Sequence, residues 1–197
     1  MTTVVVPFAG SAGKTRLGAQ RGARRDLSLA MLADVLAAAV ATGSVTVVTG
    51  DADGAALARE LGADVVPDPG GGQGLAVEAV LARVDGPALV VNADVPCVVP
   101  EDLRALAAAV PEHGIALVEA LDGTTNAMAL SSADLFRPLY GPDSARRFHG
   151  LDVETVSVVV PNLAEDVDTM ADLERLQLRC GPRTQAVLTT LATGSVQ

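Results

Sequence analysis

The 197-residue chain has almost no lysine: of its 14 basic residues, 13 are arginine and Lys14 stands alone. Cysteine is scarce as well. Cys97 and Cys180 lack metal-ligand spacing, so reduced thiols in a cytoplasmic protein are expected. No apolar run approaches the roughly 18–20 residues needed to span a bilayer, which argues against a membrane role. The opening M-T-T-V-V-V-P-F has neither the basic region nor the cleavage signal of a secretory peptide, so no leader is expected. With 24 acids against those few bases the net charge is −10, which argues against a nucleic-acid backbone as partner. A small polyanion is still compatible wherever basic groups concentrate.

What is abundant is apolar residue, 49% of the chain, enough for one domain with a full core and no disulfides. Residues 1–180 read as that domain and 181–197 as a loosely ordered tail. The run A-L-V-V-N-A-D-V-P (88–96) reads as a strand buried on both faces that stops at a carboxylate, Asp94. In open α/β sheets ligands sit beyond the carboxyl ends of strands, where Asp94 is released. It could instead cap the helix starting near Pro100, but it lies six residues upstream.

Taken in order, strand 3–8 is followed by a glycine-rich loop, A-G-S-A-G-K-T-R-L-G (9–18). A P-loop is rejected because Phe8 stands where the first glycine of G-x-x-x-x-G-K-[ST] would be. Glycines and arginines at 18–25 are expected to delay the next helix to about 26–42. Strands at 45–49 and 64–67 flank a helix at 53–61. D-P-G-G-G-Q-G-L (68–75) then opens a helix to about 83, with glycines that let backbone N–H groups approach an anion. A helix at 100–110 completes a β-α alternation, the pattern of a parallel, doubly wound sheet. Strands at 115–119, 126–131 and 156–160 break strict alternation, the stretch 140–150 reads as polar, basic and irregular, and a last helix spans about 170–178. The fold class is therefore α/β, a single-domain Rossmann-like, mostly parallel mixed sheet with helices on both faces.

The lone Lys14 in a glycine-rich loop suits a phosphate ligand, though a single exception is compatible with chance. In E-D-V-D-T (165–169) an extended backbone puts Asp166 and Asp168 on one face, roughly 6–7 Å apart along the chain. With Asp94 they make three hard carboxylate donors, which suit Mg²⁺ shared with substrate phosphates; Asp168 or Thr169 could also cap the final helix. Ser144, Arg146, Arg147 and His149 lie within nine residues and read as an anion pocket, with exposed helix charges as the plainer alternative. Metal-bridged phosphates, a lysine loop and a second anion pocket together describe transfer of a nucleotidyl group.

Six segments in order then carry a resemblance: A-G-K-T-R-L (12–17), A-M-L-A-D-V-L (30–36), G-Q-G-L (72–75), A-D-V-P (93–96), G-P-D-S-A-R-R-F-H (141–149) and D-V-D-T-M-A-D-L (166–173). The chain resembles the guanylyltransferases that activate a phosphorylated three-carbon acid in biosynthesis of the deazaflavin coenzyme F-420. The resemblance implies a glycosyltransferase-A-like nucleotidyltransferase fold and Mg²⁺-dependent transfer of GMP from GTP to phosphoenolpyruvate, or in other members to 2-phospho-L-lactate. It implies metal ligation by Asp94, Asp166 and Asp168, with Lys14, Asp94 and Asp168 as the catalytic set. Pro7, Lys14, Arg16, Gly72 and Gly74 would meet the nucleotide, and Thr125, Gly141, Ser144 and Arg146 the acceptor acid. A downstream transferase would take the product, and a homodimer is compatible with the irregular 110–160 segment. The chain departs from the family pattern at Phe8, at Ala76 and in G-T-T-N (123–126). Competing readings keep the fold with other substrates, or make it a non-catalytic nucleotide binder. A cytidylyl- or molybdopterin-type first loop, L-x-G-G-x-[ST]-x-R-x-G, is absent, as is a dinucleotide-binding G-x-G-x-x-G.

Overall fold

Strand β1 (Thr3–Phe8) buries Val4, Val5 and Val6 completely, because alternate side chains feed two different cores. Val4 and Val6 join Leu32, Val35 and Leu36 of helix α1 (Arg21–Val40) and Leu103 and Leu106 of α4 (Pro100–Ala108). Val5 joins Val77 and Val80 of α3 (Gln73–Leu81) and Phe148 of α5 (Ser144–His149) on the other face. A strand so covered has no solvated side, which is why its valines run without alternation. Each fully buried Leu or Val side chain contributes about 1.5–3 kcal/mol.

The computed structural model describes residues 2–10 and 21–194. Its remaining elements in chain order are β2 (Ser44–Thr49), α2 (Ala52–Glu60), β3 (Asp64–Pro67), β4 (Ala88–Val91), β5 (Gly114–Glu119), β6 (Thr125–Leu130), β7 (Glu154–Ser157), α6 (Pro161–Ala164), α7 (Met170–Leu176) and α8 (Pro182–Gly194). The strands form one sheet in the order β3-β2-β1-β4-β6-β5-β7. Strands β3, β2, β1 and β4 are parallel, and β6 enters antiparallel between β4 and β5. The expected mixed, mostly parallel α/β sheet with helices on both faces is the observed one. The reversal of β6 matters for the site, since it brings the start of β6 to the carboxyl end of β4. There the Asn92 N–H donates to the Asn126 carbonyl at 2.9 Å.

Several boundaries differ from the sequence reading. Helix α1 includes Gly22, Arg24 and Arg25, which had been expected to delay it. One helical glycine costs about 1 kcal/mol, and burial of Leu27, Met31, Leu32, Val35 and Leu36 outweighs it. Strand β7 lies at Glu154–Ser157 rather than 156–160, because Pro161 starts α6 and Val159 points into solvent. The stretch 140–150 holds α5, ordered by an aromatic cluster of Phe136, Tyr140 and Phe148 with centroids 5.8–6.3 Å apart. Residues 182–194, read as part of a loose tail, form α8. It packs Val187, Leu188 and Leu191 on a third core of Leu27, Met31, Cys97, Val167, Leu173, Leu176 and Cys180. Cys97 and Cys180 are free and buried there, their sulfurs 4.0 Å apart. Among the described residues no helix is long and apolar enough to cross a membrane.

Candidate active site

Extended chain follows α6 as far as Thr169, whose hydroxyl caps α7 by accepting from the Asp172 N–H. Midway, the Val167 side chain is fully buried in the third core, and its N–H donates to the Asp94 carbonyl at 2.9 Å. With Val167 held inward, alternation turns Asp166 and Asp168 the other way, toward the loop after β4. Glu165 fixes the start of this segment through Arg175 and Arg179, the latter at 2.8 Å. As a result one carboxylate oxygen from each of Asp94, Asp166 and Asp168 lies within 4.8 Å of the other two.

Three acids this close are costly without a counter-charge. Burial first, and the Asp94 charge second, push the Asp166 carboxyl above its ordinary range, while Asn126 pulls it back. Hard oxygen donors in mutual repulsion fit a divalent cation of the Mg²⁺ type better than a thiophilic metal. Asp94 is no cap for α4: there the Val99 N–H donates to Asp102 at 2.9 Å.

Asp94 and Asp168 line a cavity of about 320 Å³ at the carboxyl ends of β1, β2, β3 and β4, within the size range of small-molecule sites. Pro7, Gly72 and Asp68 line it as well, and α1 contributes Ser28 and Met31. Gly70, Gly71 and Gly72 have φ of 80°, 86° and 99°, a left-handed path that side chains with a Cβ rarely follow. Gly74, by contrast, is packed against Pro138, whose carbonyl a Cβ would meet at 2.9 Å. Its close approach is therefore to the protein's own backbone rather than to the cavity. Lys14 and Arg16 lie outside the described residues.

The residues expected around the acceptor form a second group. Ser144 and Thr125 are buried, and the Ser144 hydroxyl donates to that of Thr125 at 3.0 Å. Gly141, at φ 116°, begins the turn into α5, and the Ser144 N–H donates to its carbonyl. The guanidinium beside this turn belongs to Arg147, 3.3 Å from where a Gly141 Cβ would stand. Arg146 is exposed. His149 serves packing: its Nε2 pairs with the Ser157 hydroxyl at 2.8 Å, tying α5 to β7.

The two groups are joined by amides that sequence reasoning missed. Gln73 Nε2 donates to Asn92 Oδ1 at 2.6 Å, and Asn92 Nδ2 to the Thr125 carbonyl at 3.3 Å and Asn126 Oδ1 at 3.4 Å. Asn126 Nδ2 donates in turn to Asp166 Oδ1 at 3.2 Å. The available signal was an asparagine at one end of each of two otherwise apolar strand segments, Asn92 just after β4 and Asn126 at the start of β6.

Comparison with known proteins agrees with this geometry. Residues 8–151 match the model of the MobA-like NTP transferase domain. The chain is 37% identical over 179 residues to the phosphoenolpyruvate guanylyltransferase of Nocardia farcinica, covering 84% of this chain and 79% of that one. It is 38% identical to the enzyme of that name from Streptomyces coelicolor over 96% of both chains. Among solved structures, a Desulfovibrio desulfuricans G20 protein described as a nucleotide-diphospho-sugar transferase superposes with a TM-score of 0.76. It is 17% identical over 98% of this chain and 96% of that one, a likeness of fold.

Proposed function

The chain belongs to the MobA-like NTP transferase family, with relatives named phosphoenolpyruvate guanylyltransferase, and from that premise we propose that it transfers GMP from GTP to the phosphate of phosphoenolpyruvate. Pyrophosphate is the other product, and the reaction is a step of coenzyme F-420 biosynthesis. The observation that carries the reading is the convergence of Asp94, Asp166 and Asp168 beside a cavity bordered by the glycine loop. The protein is a cytoplasmic nucleotidyltransferase in this reading.

Asp94, Asp166 and Asp168 would hold Mg²⁺, which when bound would supply charge neutralisation at the reacting phosphates. The left-handed turn at Gly70–Gly72 leaves backbone without side chains, so the nucleotide lies close against it. Pro7 lines the same cavity, and Lys14 and Arg16 of the first loop would meet phosphate. Thr125 and Ser144, with Gly141 and the basic residues of α5, orient the acceptor. An oxygen of the acceptor phosphate attacks the α-phosphorus of GTP in line, and the bond from that phosphorus to the bridging oxygen of pyrophosphate breaks. No covalent enzyme intermediate is needed, so positioning and charge carry the catalysis. The product is a reactive mixed anhydride of two phosphates, suited to transfer to a downstream transferase.

The test is pyrophosphate release by purified protein with Mg²⁺, crossing GTP, ATP and CTP with phosphoenolpyruvate, 2-phospho-L-lactate and 3-phosphoglycerate, with a downstream transferase present to draw off product. Release with GTP and phosphoenolpyruvate at least tenfold above any other pair is expected. Release confined to another nucleotide or another acid would overturn that half of the assignment.

A further inference from the structure

Arg24 and Ser28 stand one turn apart on the same face of α1. Each carries a buried polar atom with no hydrogen-bond partner among the described residues, Nε of Arg24 and Oγ of Ser28. Neighbouring groups show how unusual this is. Arg25, the next residue, donates through Nε to Asp53 at 2.9 Å. Thr42, in the turn just after α1, and Thr189 on α8 both return their hydroxyls to the carbonyl four residues back. Ser28 does not, although it is only 3% exposed. Tyr140 and Thr184 also carry buried hydroxyls without a partner, but neither lines the cavity, whereas Ser28 does, so its donor is one that a bound molecule can complete.

The position of Ser28 says what that is, and Arg24, which does not itself line the cavity, stands one turn before it on the same helix face. Ser28 lines the cavity, and rotation about χ1 carries its hydroxyl between staggered positions. Met31, one turn farther along α1, packs with Cys97 and Val167, and Val167 is the residue between Asp166 and Asp168. Ser28 and Met31 line the same cavity as Asp94 and Asp168, so this turn of α1 shares it with two of the three carboxylates. Three carboxylates there repel a polyanion, and a guanidinium supplies a countercharge and a planar fork of donors that fits phosphate oxygens. We propose that Arg24 and Ser28 form a donor pair for the polyphosphate of the bound nucleoside triphosphate. The proposal rests on the nucleotidyltransferase reading.

Calorimetric titration with Mg²⁺-GTP and, separately, with guanosine decides it, using wild type, Arg24→Gln, Arg24→Lys, Ser28→Ala and Arg25→Gln. Loss of one hydrogen bond to a charged group should raise the Kd for GTP about tenfold in Arg24→Gln and about three- to tenfold in Ser28→Ala. Guanosine affinity and the melting temperature without ligand should hold, Arg24→Lys should be intermediate, and Arg25→Gln should match wild type. Arg24→Gln and Ser28→Ala within twofold of wild type would overturn the proposal while leaving the guanylyltransferase reading intact. Equal weakening of guanosine would also overturn it, placing the pair at the nucleoside. If wild type binds ATP or CTP instead of GTP, the base assignment fails and the same variants, titrated with that nucleotide, decide the pair. Wild type that binds no nucleoside triphosphate overturns both.

Discussion

Asn126 reaches from the start of β6 to Asp166, its Nδ2 donating to Oδ1 at 3.2 Å, while its own Oδ1 accepts from Asn92. Asn126 is buried, so its amide cannot be replaced by water without loss. The contact orients one carboxylate of the acidic cluster and favours its charged form. Asn126→Ala should therefore weaken Mg²⁺ about 10–100-fold, the usual effect of removing a group that orients a metal ligand. An activity titration against Mg²⁺ checks this. An unchanged half-saturation point would confine Asn126 to structural support.

Asp166 itself exchanges stability for function. Its folded-state carboxyl titrates above the unfolded value, through burial and the Asp94 charge. The sign follows: this group's stabilising contribution is complete below the unfolded pKa and is lost as pH rises through the folded one. Asp166→Asn should thus raise the melting temperature of metal-free protein at neutral pH, and the gain should shrink toward acid pH. The same variant should lose the Mg²⁺-induced melting shift and at least about a thousandfold in kcat, a magnitude typical of lost electrostatic stabilisation. Scanning calorimetry at several pH values, with and without Mg²⁺, reads both effects.

What could be read from the chain alone was what local pattern encodes. Asp94 stood out because it ends an apolar strand, and Asp166 and Asp168 because one residue separates them in extended chain. The sequence could not show that Val167 is the inward anchor, since its partners Leu27, Met31 and Cys97 are distant in the chain. Asn92 and Asn126 escaped notice for a related reason. Their meeting depends on β6 running antiparallel beside β4, a long-range pairing that no periodicity announces. Arg24 looked like a helix breaker among arginines, and only the structure distinguishes it from the ion-paired Arg25. Helix α8 was missed because its threonine- and alanine-rich face carries a weak signal, and the acid that caps it lies on α1.

The Ser144–Thr125 pair separates acceptor binding from nucleotide binding. Ser144→Ala removes a buried donor 3.0 Å from Thr125 Oγ1 without opening a large void. The KM for the phosphorylated acid should rise about three- to tenfold, on the scale of one neutral hydrogen bond that positions Thr125. The KM for GTP should stay within twofold, because neither Ser144 nor Thr125 lines the cavity beside the glycine loop. Initial rates with each substrate varied in turn distinguish this from a general loss of activity.

Asp34 is the acid that anchors the C-terminal helix. It is buried on α1, and its carboxylate accepts from the Arg183 and Thr184 N–H groups at 3.1 and 2.8 Å, first-turn donors of α8 that have no carbonyl of the helix to pair with. Gly181 lies so close that an added Cβ would stand 2.3 Å from Asp34 Cγ, so any side chain there must displace the cap. The same glycine donates its N–H to the Pro96 carbonyl at 2.7 Å, linking α8 to the loop that carries Asp94. Asp34→Ala leaves two backbone donors unmade and should cost about 2–3 kcal/mol, on the order of 5–10 °C in melting temperature for a domain of this size. Asp34→Asn keeps one acceptor oxygen and should lose about half as much. Gly181→Ala should fall near the alanine variant, because it removes the same cap from the opposite side. Melting curves of the three proteins test the set, and a Gly181→Ala protein as stable as wild type would show that α8 does not depend on this cap.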